Sequence, residues 1–300
     1  DYGYQENLDG LNIGNYLNSE IGLTFHNYWR LFGGANRTFS YFDDKLTYDN
    51  ETKKVGPASK LPRTDGLYLS FRTDHTKPFI IEGSISRARS VIGDWGRQFS
   101  FLLNIQPSSA IETSVYYSRN RSFERFHWLE ITEEIINEDF PDSIDHHYMF
   151  AESNNRGNIL TWRLSAGLST DKSVEFYSEY FTNRNKFSDE QYLELIQECT
   201  YPDYTDYQPY STDPDDSSLL DPNLYSPLFA KYSSLNLNFV FRWEYSPGST
   251  LYFIYTIAKS INGKESDRIS DFWNYNGGED WTEFLNESSV YVKINYRFNR

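Results

Sequence analysis

The sequence is nearly free of sulfur, with one cysteine, Cys199, and one methionine in 300 residues. A lone thiol closes no internal disulfide and builds no cysteine metal cluster, which excludes a disulfide scaffold or a zinc ribbon. Long apolar runs are missing as well. Nothing approaches the ~18 residues of a membrane-spanning helix, which excludes a helical inner-membrane protein but not a β-barrel, whose strands have weak hydropathy. Basic residues are few, 28 against 43 acidic, for a net charge of −15. Nucleic acid is a poor partner for such a chain, because neutralising phosphates takes clustered Lys and Arg. Catalytic signatures are absent too: there is no GxSxG, no P-loop, no HExxH and no GxGxxG opening a helix. The chain therefore reads as non-enzymatic, with no cofactor.

Hydrophobic residues are only 38% of the chain, yet aromatics are 18%, with 25 Tyr, 22 Phe and 7 Trp. Disordered segments lack aromatics. An outer-membrane barrel accounts for both numbers: one face of each strand meets lipid, the lumen and loops are polar, and aromatic rings sit at both interfaces. Period-two alternation supports this reading. Leu235, Leu237, Phe239, Phe241, Trp243 and Tyr245 alternate with Asn236, Asn238, Arg242 and Glu244, with Val240 the exception. Val290, Val292, Ile294, Tyr296 and Phe298 alternate with Tyr291, Lys293, Asn295 and Arg297. Similar patterns cover 15–26, 28–42, 66–74, 79–90, 97–107, 111–127, 160–168, 173–186 and 250–262, with an arm near 146–157 extending the strand that ends near 169. This predicts eleven strands of an antiparallel transmembrane β-barrel forming a single region over 1–300.

The connections are sorted by length. Tight ones fall at 26–27, 75–78, 107–110, 170–172 and 246–249, several carrying the Pro and Gly that preset turns. Between them lie mostly long ones, at 43–65, 128–145, 187–231 and 263–288, with a shorter one at 91–96. Acid concentrates in the long ones: ten carboxylates in 187–231, seven in 130–145 and seven in 263–287. Short periplasmic turns and longer extracellular loops characterise outer-membrane barrels. The expected placement is the bacterial outer membrane, with the C-terminus periplasmic and the acidic loops outside. The expected partners are outer-membrane lipid and lipopolysaccharide, together with other outer-membrane or periplasmic proteins. An odd strand count is unusual for a bacterial barrel. Together with a start at Asp1, without Met or a signal peptide, it predicts a processed chain that is the C-terminal part of a larger barrel.

Several motifs carry a family resemblance. They are Asn27-Tyr28-Trp29; Gly66-Leu67-Tyr68-Leu69-Ser70-Phe71-Arg72-Thr73-Asp74 followed by Lys77-Pro78; and Tyr148-Met149-Phe150-Ala151. The most specific are Ser234-Leu235-Asn236-Leu237-Asn238 and Phe241-Arg242-Trp243-Glu244-Tyr245-Ser246-Pro247-Gly248-Ser249-Thr250-Leu251. Together they resemble the uncharacterised outer-membrane barrel domain of Bacteroidota and related phyla, which usually follows a module similar to family-9 carbohydrate-binding domains. The resemblance covers most of 15–300. It implies a longer barrel than this chain holds and supplies no catalytic residues. No carbohydrate-binding module lies in this sequence. Unlike many barrel proteins, the chain does not finish on an aromatic residue: Asn299 and Arg300 follow Phe298.

Parity along the strands predicts a lumen-facing polar set: Arg72, Glu82, Glu112, Arg163, Glu175, Glu179, Arg242, Glu244, Lys293 and Arg297. These residues suit either a charged channel lining or cross-strand pairs that hold the lumen together. Phe25, Trp29, Trp243, Tyr245 and Phe298 are the expected interfacial girdle. Asp213, Asp215 and Asp216 offer clustered oxygens of the kind calcium takes, without the EF-hand spacing; a solvated acidic tip accounts for them equally. His146-His147 beside Asp142 and Asp145 reads as a solvated acidic loop or a metal site. The functional reading is transport, secretion or scaffolding in an outer-membrane complex. The alternative is a surface module whose acidic, aromatic loops bind glycans or protein partners.

Overall fold

The computed structural model describes residues 1–8, 10–43, 59–135, 144–195, 207–209, 229–263 and 281–297, with side chains described outside 129–149, 188–231 and 261–286. Phe298 and Asp213, Asp215 and Asp216 lie outside the described residues, as do the side chains of His146 and His147.

The described chain is all β, as the alternation requires. In chain order the strands are β1 (Tyr2–Glu6), β2 (Asn12–Thr24), β3 (Arg30–Thr38), β4 (Tyr41–Asp43), β5 (Ser59–Leu61), β6 (Thr64–Arg72), β7 (Phe79–Ser90) and β8 (Trp95–Ser108). They continue as β9 (Ile111–Ile135), β10 (Ile144–Gly167), β11 (Lys172–Leu195), β12 (Tyr207–Pro209), β13 (Phe229–Ser246), β14 (Ser249–Gly263) and β15 (Trp281–Asn295). Twelve of them form one antiparallel meander in the order β1-β2-β3-β6-β7-β8-β9-β10-β11-β13-β14-β15, while β12 pairs with β11 and β4 with β5.

The ladder has one strand more than the eleven read from the sequence. Tyr2–Glu6 is short and pairs with Asn12 to Leu17 on β2, and it lacks the apolar alternation that marked the others. The long connections also narrow. β9 and β10 pair out to Ile135 and Ile144, where loop was expected from 128 to 145. Leu129, Ile131 and Ile135 alternate there with Glu130, Thr132 and Glu134, a strand pattern hidden by its acidity. Likewise β11 runs on to Leu195 and β15 begins at Trp281.

The tight turns are built by local chemistry. At 246–249 Pro247 fixes its own φ and Gly248 takes φ 76, a conformation suited to glycine. A Cβ on Gly248 would lie 2.6 Å from Arg297 Cδ, and the Arg297 amide donates to Ser249 Oγ at 3.0 Å, so this turn also anchors the end of the last strand. At the 73–78 turn Asp74, 5% exposed, accepts from the Thr76 amide at 2.9 Å and the Thr76 hydroxyl at 2.8 Å. These hydrogen bonds, the backbone one first, hold its carboxyl below the ordinary aspartate range.

Cross-strand register joins residues of like character into two faces. On the apolar face Leu31, Phe71, Gly83, Phe101, Tyr117, Leu160, Tyr180 and Leu235 lie in one row across eight strands. Much of this face lies open, with Ile21 65% and Leu67 66% exposed, while Leu235 and Ile257 on it are buried. The opposite face is rich in Ser, Asn and Gly, as in the row Ser70, Ser84, Ser100 and Ser118, where Ser84 and Ser100 share a 2.6 Å hydrogen bond.

The apolar band slants across the ladder. The row through Leu69, mid-band on β6, arrives eight strand-to-strand steps later at Phe284 on β15. The band on β15 is centred near Val292, eight residues further along. One residue per step, at ~3.3 Å along the strand and ~4.8 Å between strands, is a tilt of about 35°. Barrel strands tilt by about 35–45° from the barrel axis.

Candidate functional site: the polar face of the sheet

Every member of the predicted polar set from Arg72 to Lys293 falls on the same face, and Arg297 lies two residues beyond the end of β15. Arg72 and Glu82 are direct cross-strand partners and form an ion pair at 2.9 Å, with Arg30 on the far side of Arg72. Glu112 lies opposite Ser165, which lies opposite Glu175. Arg163 lies one pleat away, opposite Ser114 and Tyr177. Near the 246–249 turn Arg242 pairs with Glu244 at 2.9 Å, and the other Glu244 oxygen accepts from the Gly248 amide at 2.9 Å. Lys293 stands opposite Tyr252 on this face, and Arg297 follows it.

Two concavities open on the face. The larger, about 680 Å³, is lined by Asn104, Glu112, Arg163, Glu175, Tyr177 and Asn238, among others. Glu112 and Glu175 share this lining with Arg163. Glu112 accepts from the Asn104 amide at 3.0 Å, Glu179 accepts from the Tyr177 hydroxyl at 2.8 Å, and the Arg163 guanidinium stacks over the Tyr177 ring at 5.3 Å. Among the described residues no carboxylate lies within ion-pair distance of Arg163. Glu112 and Arg163 are thus tethered to different neighbours.

The second concavity, about 450 Å³, lies toward the long connections and is lined by Asn18, Glu20, Asn36, Tyr68, Gln98 and Asn120, among others. Glycines keep its wall flat. A Cβ at Gly66 would lie 2.0 Å from Asn36 Oδ1, and one at Gly34 would lie 2.6 Å from the Tyr68 ring and 2.7 Å from the Ser19 carbonyl. Tyr68 therefore lies across Gly34 and donates to Glu20 at 2.6 Å, so it covers the wall and does not project from it. The polar set read from the sequence omitted these amide and glycine positions, which have no charge to mark them.

The girdle aromatics hold the short-turn edge of the apolar face. Phe25 and Trp29 are about half exposed and joined through the Phe25 amide and the Trp29 carbonyl at 2.8 Å. Trp243 meets Tyr245 edge-on at 6.1 Å, and the Lys172 ammonium sits 5.5 Å over the Trp243 ring. The nearby Asp171 carboxyl is held below its ordinary range, chiefly by the Ser169 hydroxyl at 2.7 Å. No group of three His, Cys, Asp or Glu among the described residues could hold a metal ion.

No protein-family model matches the sequence, and no curated protein matches it. Among solved structures, the chain is similar to one described as the copper transporter OprC, with 11% identity and a TM-score of 0.44, covering 97% of this chain. The chain spans 41% of that transporter's length. It is also similar to a structure of the NanC porin, with 8% identity, a TM-score of 0.23, and 95% of this chain against 94% of the other.

Proposed function

We propose that the chain is a non-enzymatic bacterial outer-membrane β-barrel that transports solute along its polar face. The observation that carries this is the single meander with an apolar face, exposed over most of its described length and slanted at about 35°, opposite a polar face. A soluble sheet would bury such a face against another layer. The aromatic edge at Phe25, Trp29, Trp243 and Tyr245 matches the level of lipid headgroups. The end strands β1 and β15 are not paired with each other among the described residues, which supports further strands and a larger barrel. The long acidic connections then lie outside and the C-terminus in the periplasm. The motif resemblance adds the expectation of a family-9-like carbohydrate-binding module before Asp1, which sequencing the complete gene product tests.

The functional test is reconstitution of the full-length protein in planar bilayers under a salt gradient. The expected result is steady conductance, with Arg163→Gln shifting the reversal potential toward cation selectivity. That substitution removes the cation facing Glu112 and Glu175. Extraction of the protein from membranes by alkaline carbonate refutes the barrel. Firm insertion without conductance refutes transport and leaves a scaffold.

A further inference from the structure

On the apolar face the register produces an arrangement that sheets normally avoid. Arg87 lies directly opposite Arg97, Arg97 opposite Arg121, and Arg121 opposite Arg156. Arg119 lies one pleat from Arg121 and opposite Phe99. Like charges directly opposite one another destabilise a sheet. Among the described residues none of Arg87, Arg97, Arg119, Arg121 and Arg156 has a carboxylate within ion-pair distance. Elsewhere on this face a cation does find one, as in Arg37 with Asp65 at 2.5 Å. Arg121 Nε is buried without a hydrogen-bond partner. Arg97 stacks over the Trp95 ring at 5.3 Å, but no carboxylate among the described residues pairs with the row, and a local rule broken in this way is expected at functional sites.

The shape narrows the partner. Ile85, Phe99, Arg87, Arg97, Arg119 and Arg121 border a cleft of about 390 Å³ on this face, its lining mostly carbon and four arginines around it. Along the strands the cluster sits where the apolar band ends on the side of the long connections: Ile85 is followed by Arg87 on β7, and Tyr117 by Arg119 on β9. Planar guanidinium groups bind phosphate oxygens bidentately. A ligand with phosphate at headgroup level and hydrocarbon just below fits both halves of the cleft.

We propose that this cleft binds the phosphate groups of an outer-leaflet glycolipid, whose acyl chain lies against Ile85 and Phe99. The proposal rests on the outer-membrane reading above. It adds a defined lipid site, on the opposite face from the transport path. Charge complementarity selects the occupant: the chain is acidic overall, and the four arginines at the cleft, none with a carboxylate partner, complement anionic headgroups.

The test uses the full-length protein, first shown by carbonate resistance to be membrane-embedded, then purified in detergent. Binding is measured for outer-membrane glycolipid, for the same glycolipid after enzymatic phosphate removal, and for inorganic phosphate. Phosphate removal is expected to weaken binding by about tenfold or more, as is the Arg97→Gln/Arg121→Gln double variant. Arg163→Gln, on the other face, leaves binding unchanged, and inorganic phosphate alone binds weakly. Equal binding of intact and dephosphorylated glycolipid by embedded wild-type protein overturns the proposal, whether or not the double variant folds. So does preferential, phosphate-independent capture of an acidic peptide. A wild-type protein that carbonate extracts refutes the barrel instead.

Discussion

Phe241 and Val240 are adjacent on β13 and face opposite ways, so the pair tests which face meets lipid. Phe241 sits mid-band, between Val174 on β11 and Phe253 on β14. An arginine there would stand near the bilayer midplane, where it costs about 2–4 kcal/mol. Val240 lies directly opposite Glu175 on the polar face. An arginine there gains an opposite-charge cross-strand pair, about 0.2–1 kcal/mol, and stays in water. Tyr245 shares the face of Phe241 but lies at the edge of the band, where the cost of arginine falls to about 0–1 kcal/mol. The assay is reversible guanidinium unfolding from lipid vesicles, comparing Phe241→Arg, Val240→Arg and Tyr245→Arg with wild type. The expected order of destabilisation is Phe241→Arg well above Tyr245→Arg, with Val240→Arg near zero. A protein core would penalise position 241 but has no reason to grade the penalty with distance from a turn. Equal costs at 241 and 245, or a larger cost at 240 than at 241, would refute the assignment of the apolar face to lipid.

Two smaller predictions concern the turns and the inner wall. The Asp74 carboxyl is held below its ordinary range by its hydrogen bonds to Thr76, so its contribution to stability is full above the unfolded pKa near ~4 and is lost as pH falls through the lower native value. Thermal midpoints of wild type and Asp74→Asn should therefore differ at pH 7 and draw together on acidification through the lowered native value; a gap that widens on acidification contradicts this. Gly34→Ala forces a Cβ to 2.7 Å from the Ser19 carbonyl, whereas Gly96, on the same face, has nothing within 4 Å. Chemical unfolding should show a loss of about 1–3 kcal/mol for Gly34→Ala and near neutrality for Gly96→Ala, and equal losses would remove the close approach as the cause.

The sheet was legible because period-two alternation is local: Leu235 to Tyr245 declares its faces without knowing its neighbours. What alternation does not carry is register, and both the slant of the band and the meeting of Glu112, Arg163 and Glu175 in one concavity exist only in register. Strand ends were obscured where acid overlay alternation, as in 129–135, because carboxylates signal solvent more strongly than they signal backbone conformation. β1 was missed because five residues, three of them Gly3, Gln5 and Glu6, offer little periodicity. The arginine cluster was legible in principle, since Arg87 shares parity with Ile85, Arg97 with Phe99 and Arg119 with Tyr117. Its significance came only from the pairing that places those positions side by side.

The edges of the ladder carry the argument one step further. β15 pairs with β14 on one side only among the described residues, and Val290, Val292 and Ile294 on it are about 60% exposed. In water such an edge can be left to solvent. In hydrocarbon each unsatisfied backbone group costs several kcal/mol, so a strand whose side chains meet lipid cannot keep an open edge. The apolar face and the open edge are therefore linked: if Val292 meets lipid, another strand must cover the free N–H and C=O groups of β15. The one-residue-per-strand slant is the displacement a closing sheet of tilted strands requires, so the ladder already has the geometry to accept that strand.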